Sequence, residues 1–218
     1  MPLQLYYAPG ACSFVPHAAL ELAGASFEPL LVKLHKGEHN TPAFRAINPR
    51  GQVPVLVDDG QAITQIVAIG LHLDARFPQA QLLPPQGLAR TRALELLAWM
   101  NNTVHPTFTH VFMPAKFTDD AAAQASVKAH ALTRYRALLE ELEAMVTTRS
   151  GPWLGGASPG LLDAYALTLL RWGGFAGIDP TTLPHTWALA QSFAALPPVA
   201  RVVERERLQL NVYQPAAA

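Results

Sequence analysis

Apolar and polar positions alternate at the start of the chain, with Leu3, Leu5 and Tyr7 set against Gln4 and Tyr6, and this predicts a short half-buried strand. Pro9 and Gly10 turn the chain, after which Ser13 as N-cap, Pro16 in the first turn and Gly24 as a stop bound a helix. Phe27 to Leu34 reads as a second strand, and Pro29 within it points to an edge position. Residues 35 to 51 are polar and mobile in composition, with at most a short helix at Pro42 to Ala46. Val53 to Val57, a turn at Asp58-Asp59-Gly60, and Ala62-Ile63 form a hairpin, and Thr64 caps a helix ending between Asp74 and Phe77.

Residues 78 to 87 break the periodicity and read as a linker; beyond them only helical patterns follow. Leu88 to Met113 carries an apolar stripe that Pro106 should kink or interrupt just after His105. Residues 120 to 147 form a long Ala-rich helix, and another runs from Leu161 to about Trp172, where Gly173-Gly174 stops it. Two shorter helices span Pro184 to Ala195 and Val199 to Leu208. The order is a β-α-β/β-β-α unit followed by an all-helical half.

Composition narrows the function classes. The 218 residues are 50% hydrophobic and 15% charged, as in a globular protein, and the formal net charge of +0 gives no field that favours nucleic acid or an anionic membrane. The densest charge run, Arg201 to Arg207, is interrupted by Glu204 and Glu206 and reads as a solvated helix face. No apolar run approaches the roughly 18 residues of a membrane span, and the start lacks the pattern of a signal peptide. A single cysteine excludes an internal disulfide, which fits a reducing cytoplasm, the default expectation, and equally a periplasmic protein without bridges.

That cysteine, Cys12, lies where the first strand hands over to the first helix. Free N–H groups and the helix dipole stabilise an anion there, so the thiol is expected to be acidic and reactive. Position alone leaves the other reading open, a small buried hydrophobe. His17, one turn on, reads as packed or hydrogen-bonded rather than catalytic, and Cys12 with His17 lacks two further ligands for a metal.

Four blocks take the reading further: Tyr7-Ala8-Pro9-Gly10-Ala11-Cys12-Ser13, Asn48-Pro49-Arg50-Gly51-Gln52-Val53-Pro54, Asp58-Asp59-Gly60, and Asp163-Ala164-Tyr165 with Leu170-Arg171-Trp172. Together they resemble the bacterial beta class of the glutathione transferase family over nearly the whole chain. The resemblance implies a glutathione transferase fold, α/β plus all-α, with a thioredoxin-like N-terminal domain at 1–79 and an all-helical C-terminal domain at 88–218. It implies glutathione as co-substrate, no metal, a small hydrophobic electrophile, a homodimer, and a detoxifying transferase that conjugates or exchanges thiols and disulfides.

Carried over residue by residue, the resemblance makes Cys12, His105 and Ser13 catalytic, although capping is the simpler role for Ser13. It assigns glutathione binding to Lys36, Gln52, Val53, Pro54, Gln65 and Ile66. Pro54 matches a cis-proline that leaves the Val53 backbone free to pair with glutathione as an added strand. His105 is expected to donate to, or protonate, the glutathione sulfur. Phe108, Phe112 and Trp172 line an electrophile pocket between the domains unless they are plain core.

Three positions depart from the pattern. Ile66 stands where Ser or Gly usually receives the γ-glutamyl carboxylate, and the missing hydroxyl and added bulk predict an affinity lower by roughly one to two decades. Pro106 replaces a common lysine, which Lys36 partly offsets. Gly160 replaces a capping Ser or Thr before Asp163. Ile66 and Pro106 also make credible a protein of the same fold that binds apolar ligands or a partner with weak or no glutathione activity.

Overall fold

A computed structural model describes residues 2–215; Met1 and residues 216–218, the outer ends of the two expected domains, lie outside the described residues. Strand β1 (Leu3–Tyr7) buries Leu3, Leu5 and Tyr7, as its alternation requires. It pairs in parallel with β2 (Phe27–Leu31) and antiparallel with β3 (Val55–Asp58), which pairs antiparallel with β4 (Gln61–Thr64). The sheet order β2-β1-β3-β4 leaves β2 at an edge, where Pro29 costs no central ladder bond. Asp59 and Gly60 both take positive φ, 46° and 78°, which suits the twist of a two-residue hairpin turn.

Helices α1 (Phe14–Leu22) and α3 (Ile66–Arg76) pack together within the main core, while α2 (Pro42–Ile47) serves a smaller one of Val32, Phe44 and Val55. Two short 3-10 turns, Leu34–Lys36 and Glu38–Asn40, lie in the polar segment before α2. Two caps differ from expectation. Ser13 stands at the N-cap of α1 in helical geometry and makes no side-chain cap bond. Gln65 rather than Thr64 precedes α3, with φ +74° and ψ 128°.

The stretch from 78 to 87 is packed rather than loose. Leu82 and Leu83 are 2% exposed, Leu83 N–H donates to Asp74 Oδ1 at 3.1 Å, and Leu161 N–H donates to Leu82 O at 3.1 Å. Two leucines in a Pro-rich sequence seal the junction because the backbone around them finds partners on both sides.

Helices α4 (Gly87–Trp99) and α5 (His105–Phe112) are joined by a π-helical turn at Met100–Val104. His105 N–H donates to Met100 O, five residues back, so the chain shifts its bonding pattern one turn before Pro106, which has no N–H to give. Helix α6 (Ala121–Thr147) is capped by Asp120, whose Oδ1 accepts from Ala123 N–H at 2.6 Å. Helix α7 (Leu161–Phe175) is buried on nearly all sides and forms the centre of the helical half. Its start is held by Asp163, which accepts from Gly160 and Leu154 N–H, each at 2.9 Å.

Gly173 and Gly174 lie inside α7 and do not end it. A Cβ on Gly174 would meet Val212 and the Tyr213 backbone at 2.7 Å, so the glycine admits the C-terminal segment across the helix. Helices α8 (Pro184–Ala194) and α9 (Pro197–Arg205) complete the helical half, α9 packing on α1. The charge run after Arg201 is not wholly solvated: Glu206 is 3% exposed. Among the described residues no helix is long and apolar enough to cross a membrane.

Candidate active site

The thiol sits in a loop that both halves of the molecule hold. Gly10 takes φ +68°; its N–H donates to Glu206 Oε2 at 2.9 Å and its carbonyl accepts from Trp172 Nε1 at 2.9 Å. Ser13 Oγ closes the loop from within, donating to Ala8 O and accepting from Ala8 N–H, both at 3.1 Å. Ser13 is fully buried, so its hydroxyl is committed to the loop rather than offered to a sulfur. Its geometry gives it a positioning role.

Cys12 donates from Sγ to Val53 O at 3.6 Å, across the cis Val53–Pro54 bond. Among the described residues Val53 N–H has no intramolecular partner, so the segment presents one free donor beside a thiol-engaged carbonyl. The expected acidic thiol is not what the surroundings produce. Cys12 keeps part of its surface exposed, but its thiol group is desolvated, and this pushes its pKa up to about 12. Bonds from the Cys12 and Ser13 backbone N–H groups pull the other way and are the smaller effect. Helix α1 begins two residues later, at Phe14, so the favourable N-terminal field is bought back by burial.

His105 Nδ1 lies 2.7 Å from Tyr165 Oη, which also lies 3.3 Å from Asn101 Oδ1. Both contacts are hydrogen bonds at once when Tyr165 donates to Asn101 and His105 Nδ1–H donates to Tyr165, which leaves Nε2 as an acceptor. Burial, reinforced by the Lys116 charge, lowers His105 to about 4. The ring is therefore neutral at physiological pH and cannot protonate sulfur as an imidazolium, contrary to the sequence expectation. Trp172 links it to the thiol loop: its ring centroid is 4.8 Å from that of His105, and its Nε1 holds Gly10.

The other residues expected to hold the tripeptide come from three separate segments. Lys36 ends the 3-10 turn after β2 and lines a cleft of about 570 Å³ with Ala8, Pro9 and Leu34. Gln52 is exposed, and its carbonyl accepts from Asn48 Nδ2 at 2.7 Å, which anchors the strand approach to the cis bond. Gln65 holds its left-handed φ at the start of α3, where the first N–H groups of the helix have no intrahelical acceptor. Ile66 is 5% exposed and belongs to the main core, so its bulk does not occupy the surface beside Gln65; only the hydroxyl is missing.

Phe108 stacks between Trp172 and Phe112, at 4.7 Å and 5.6 Å between centroids. Phe108 and Trp172 are buried, whereas Phe112 is 59% exposed and meets exposed Phe175 at 6.2 Å. Sequence reasoning passed over Tyr165, Arg171 and Glu206 as site residues. Tyr165 and Arg171 sit on α7 within the blocks that carry the resemblance, so that signal was available; nothing local marks Glu206. His17 is fully buried with Nδ1 at 2.7 Å from Glu206 Oε1, the packed and hydrogen-bonded role expected for it. No cluster of metal-ligating side chains occurs among the described residues.

A family model described as "Glutathione S-transferase, N-terminal domain" matches residues 1–75. Glutathione S-transferase GstA of Escherichia coli O157:H7 is 31% identical over 210 residues, 95% of this chain and 100% of the relative. The maleylacetoacetate isomerase of Pseudomonas aeruginosa is 30% identical over 90% of this chain and 92% of its own. In structure, a glutathione transferase homologue from Sulfitobacter with bound glutathione superposes with a TM-score of 0.88 at 25% identity, over 95% of this chain and 99% of that one.

Proposed function

Because the chain belongs to the glutathione S-transferase family, we propose that it holds glutathione as an added strand against Val53, sulfur beside Cys12, and transfers that sulfur to a small hydrophobic electrophile. The observation that carries this reading is the cis Val53–Pro54 bond with the Val53 carbonyl facing Cys12 Sγ at 3.6 Å. A free N–H at Val53 pairs with the peptide backbone of the ligand. Gln65 takes the γ-glutamyl amine, the Ile66 N–H at the start of α3 takes its carboxylate, and Lys36 faces the glycine end.

The protonation states define the roles. Cys12, protonated at neutral pH, is not the nucleophile; its single S–H turns from Val53 O to the glutathione sulfur when the tripeptide binds. His105, held neutral, accepts a hydrogen bond at Nε2 from the glutathione thiol, and the proton leaves to solvent rather than staying on the ring. The anion then resides on the ligand, and its sulfur attacks the electrophile held along Phe108, Phe112 and Trp172. A thiol held at about 12 also disfavours disulfide exchange through Cys12, since the thiolate is the exchanging species. The same reading makes the protein a cytoplasmic homodimer of beta-class type.

A second reading, isomerisation of a cis alkene conjugated to a carbonyl, is favoured by the isomerase among the relatives. Transient addition of the glutathione sulfur permits bond rotation before expulsion, with the same residues in place. Calorimetric titration of glutathione into the reduced protein, with turnover of chlorodinitrobenzene alongside, tests the main reading. Saturable binding with formation of the conjugate supports it; absence of binding at millimolar glutathione overturns it.

A further inference from the structure

Arg171 is a cation held against the thiol loop with most of its hydrogen-bonding capacity unused. Its Nε donates to Gln209 O at 2.8 Å, and among the described residues neither Nη1 nor Nη2 has a hydrogen-bond or ion-pair partner. The guanidinium lies against Gly10, so close that a Cβ on that residue would meet Nη1 at 2.7 Å and Nη2 at 3.3 Å. Its Cζ also lies 5.5 Å from the ring centre of Phe175. Burial lowers its pKa, an effect partly opposed by the charge of Glu206, which is itself bonded to Gly10 and His17.

The surroundings limit what can pair with those two nitrogens. Phe175 and Phe112 are 52% and 59% exposed and adjoin each other, and Phe112 continues the stack of Phe108 and Trp172 that runs to His105. One end of this aromatic row is therefore neutral His105, and the other is flanked by a guanidinium that packs on Gly10 of the thiol loop. We propose that Arg171 selects electrophiles that carry a carboxylate, or a sulfonate of similar geometry, on a planar apolar body. The body lies along Phe112 and Phe175, and the anion takes Nη1 and Nη2 as a bidentate pair. This rests on the glutathione transferase reading of the same site and adds the class of its second substrate.

The reaction used as probe balances simply. The glutathione sulfur bonds to the ring carbon bearing chlorine, the C–Cl pair departs as chloride, and the thiol proton passes to solvent. The matched probes are 4-chloro-3,5-dinitrobenzoate and its methyl ester, equal in ring and leaving group and different in charge. In the wild type the ratio of kcat/KM for acid over ester is expected to fall at least tenfold in Arg171→Gln, through KM for the acid, and to recover in part in Arg171→Lys. A ratio needs only the folded fraction, so lost stability does not imitate the result. Calorimetry with 3,5-dinitrobenzoate and its methyl ester, which cannot react, reads Arg171 without turnover. An acid-to-ester ratio of affinities and of kcat/KM that is unchanged in Arg171→Gln overturns the proposal. Wild-type protein that binds the dinitrobenzoate through Arg171 but converts neither chloro compound supports the anion site and overturns conjugation alone.

Discussion

Glu206 Oε2 accepts a hydrogen bond from Gly10 N–H at 2.9 Å, which ties the end of the last helix to the loop that carries Cys12. The other carboxylate oxygen, at 2.7 Å from His17 Nδ1, is held by a ring whose Nε2 accepts from Arg205 at 2.9 Å. Both partners of Glu206 are thus donors, and the carboxylate satisfies them without water.

Glu206→Gln keeps one acceptor and presents an N–H₂ to the second donor, so one buried bond is lost. An unsatisfied buried donor costs about 1–3 kcal/mol, and the variant is expected to lose about 2 kcal/mol in urea denaturation. Loosening of Gly10 should also speed alkylation of Cys12 under native conditions. Equal stability and equal alkylation would show that the clamp is immaterial.

Acid stability should report on His105. Its folded pKa lies near 4 against an ordinary 6.5, so the unfolded chain binds the extra proton between those values and stability falls as pH drops through that window. The full effect is about 3 kcal/mol. Asp163 acts in the opposite sense, because burial raises it to about 6 and the folded state gains its proton first. The wild-type profile therefore sums two opposing contributions. The difference between His105→Gln and wild type isolates one: the variant should gain about 3 kcal/mol relative to wild type between pH 6.5 and about pH 4, measured by chemical denaturation at each pH.

Gly160 should not tolerate the serine that the family pattern suggests. A serine cap is worth about 1 kcal/mol, but a Cβ there would lie 2.1 Å from Leu82 O, the acceptor of Leu161 N–H. Overpacking of this kind costs about 1–3 kcal/mol, so it outweighs the cap. Gly160→Ser is expected to lower the thermal midpoint, and a rise in the midpoint would contradict the close approach.

Tyr165→Phe removes the partner of His105 Nδ1 while leaving the ring buried. The imidazole then loses the bond that fixes its tautomer, and kcat is expected to fall about tenfold or more at unchanged KM for glutathione, since Tyr165 has no expected contact with the tripeptide. A change confined to KM would place Tyr165 in binding instead.

Much of the fold was legible because it rests on local signals. Alternation in Leu3–Tyr7, the turn at Asp58-Asp59-Gly60 and the long helical period of α6 each name their element directly. The failures come from long-range contact. Gly173 and Gly174 read as a stop because nothing nearby announces that Val212 and Tyr213 cross there. Glu206 read as solvated because its partners, Gly10 and His17, lie far away in sequence. The site shows the same division: the cis-proline and Cys12 were visible as motif, whereas the high thiol pKa and the neutral His105 follow from burial that no short stretch encodes.

Where the negative charge sits is the question that most directly tests this account, and thiolate absorbance in the ultraviolet reads it. The reduced, ligand-free protein should show no thiolate at pH 7, and addition of glutathione should produce a thiolate band that persists in Cys12→Ser. A band in the free protein that vanishes in Cys12→Ser would contradict the account, because the anion would then belong to Cys12 and not to the bound tripeptide.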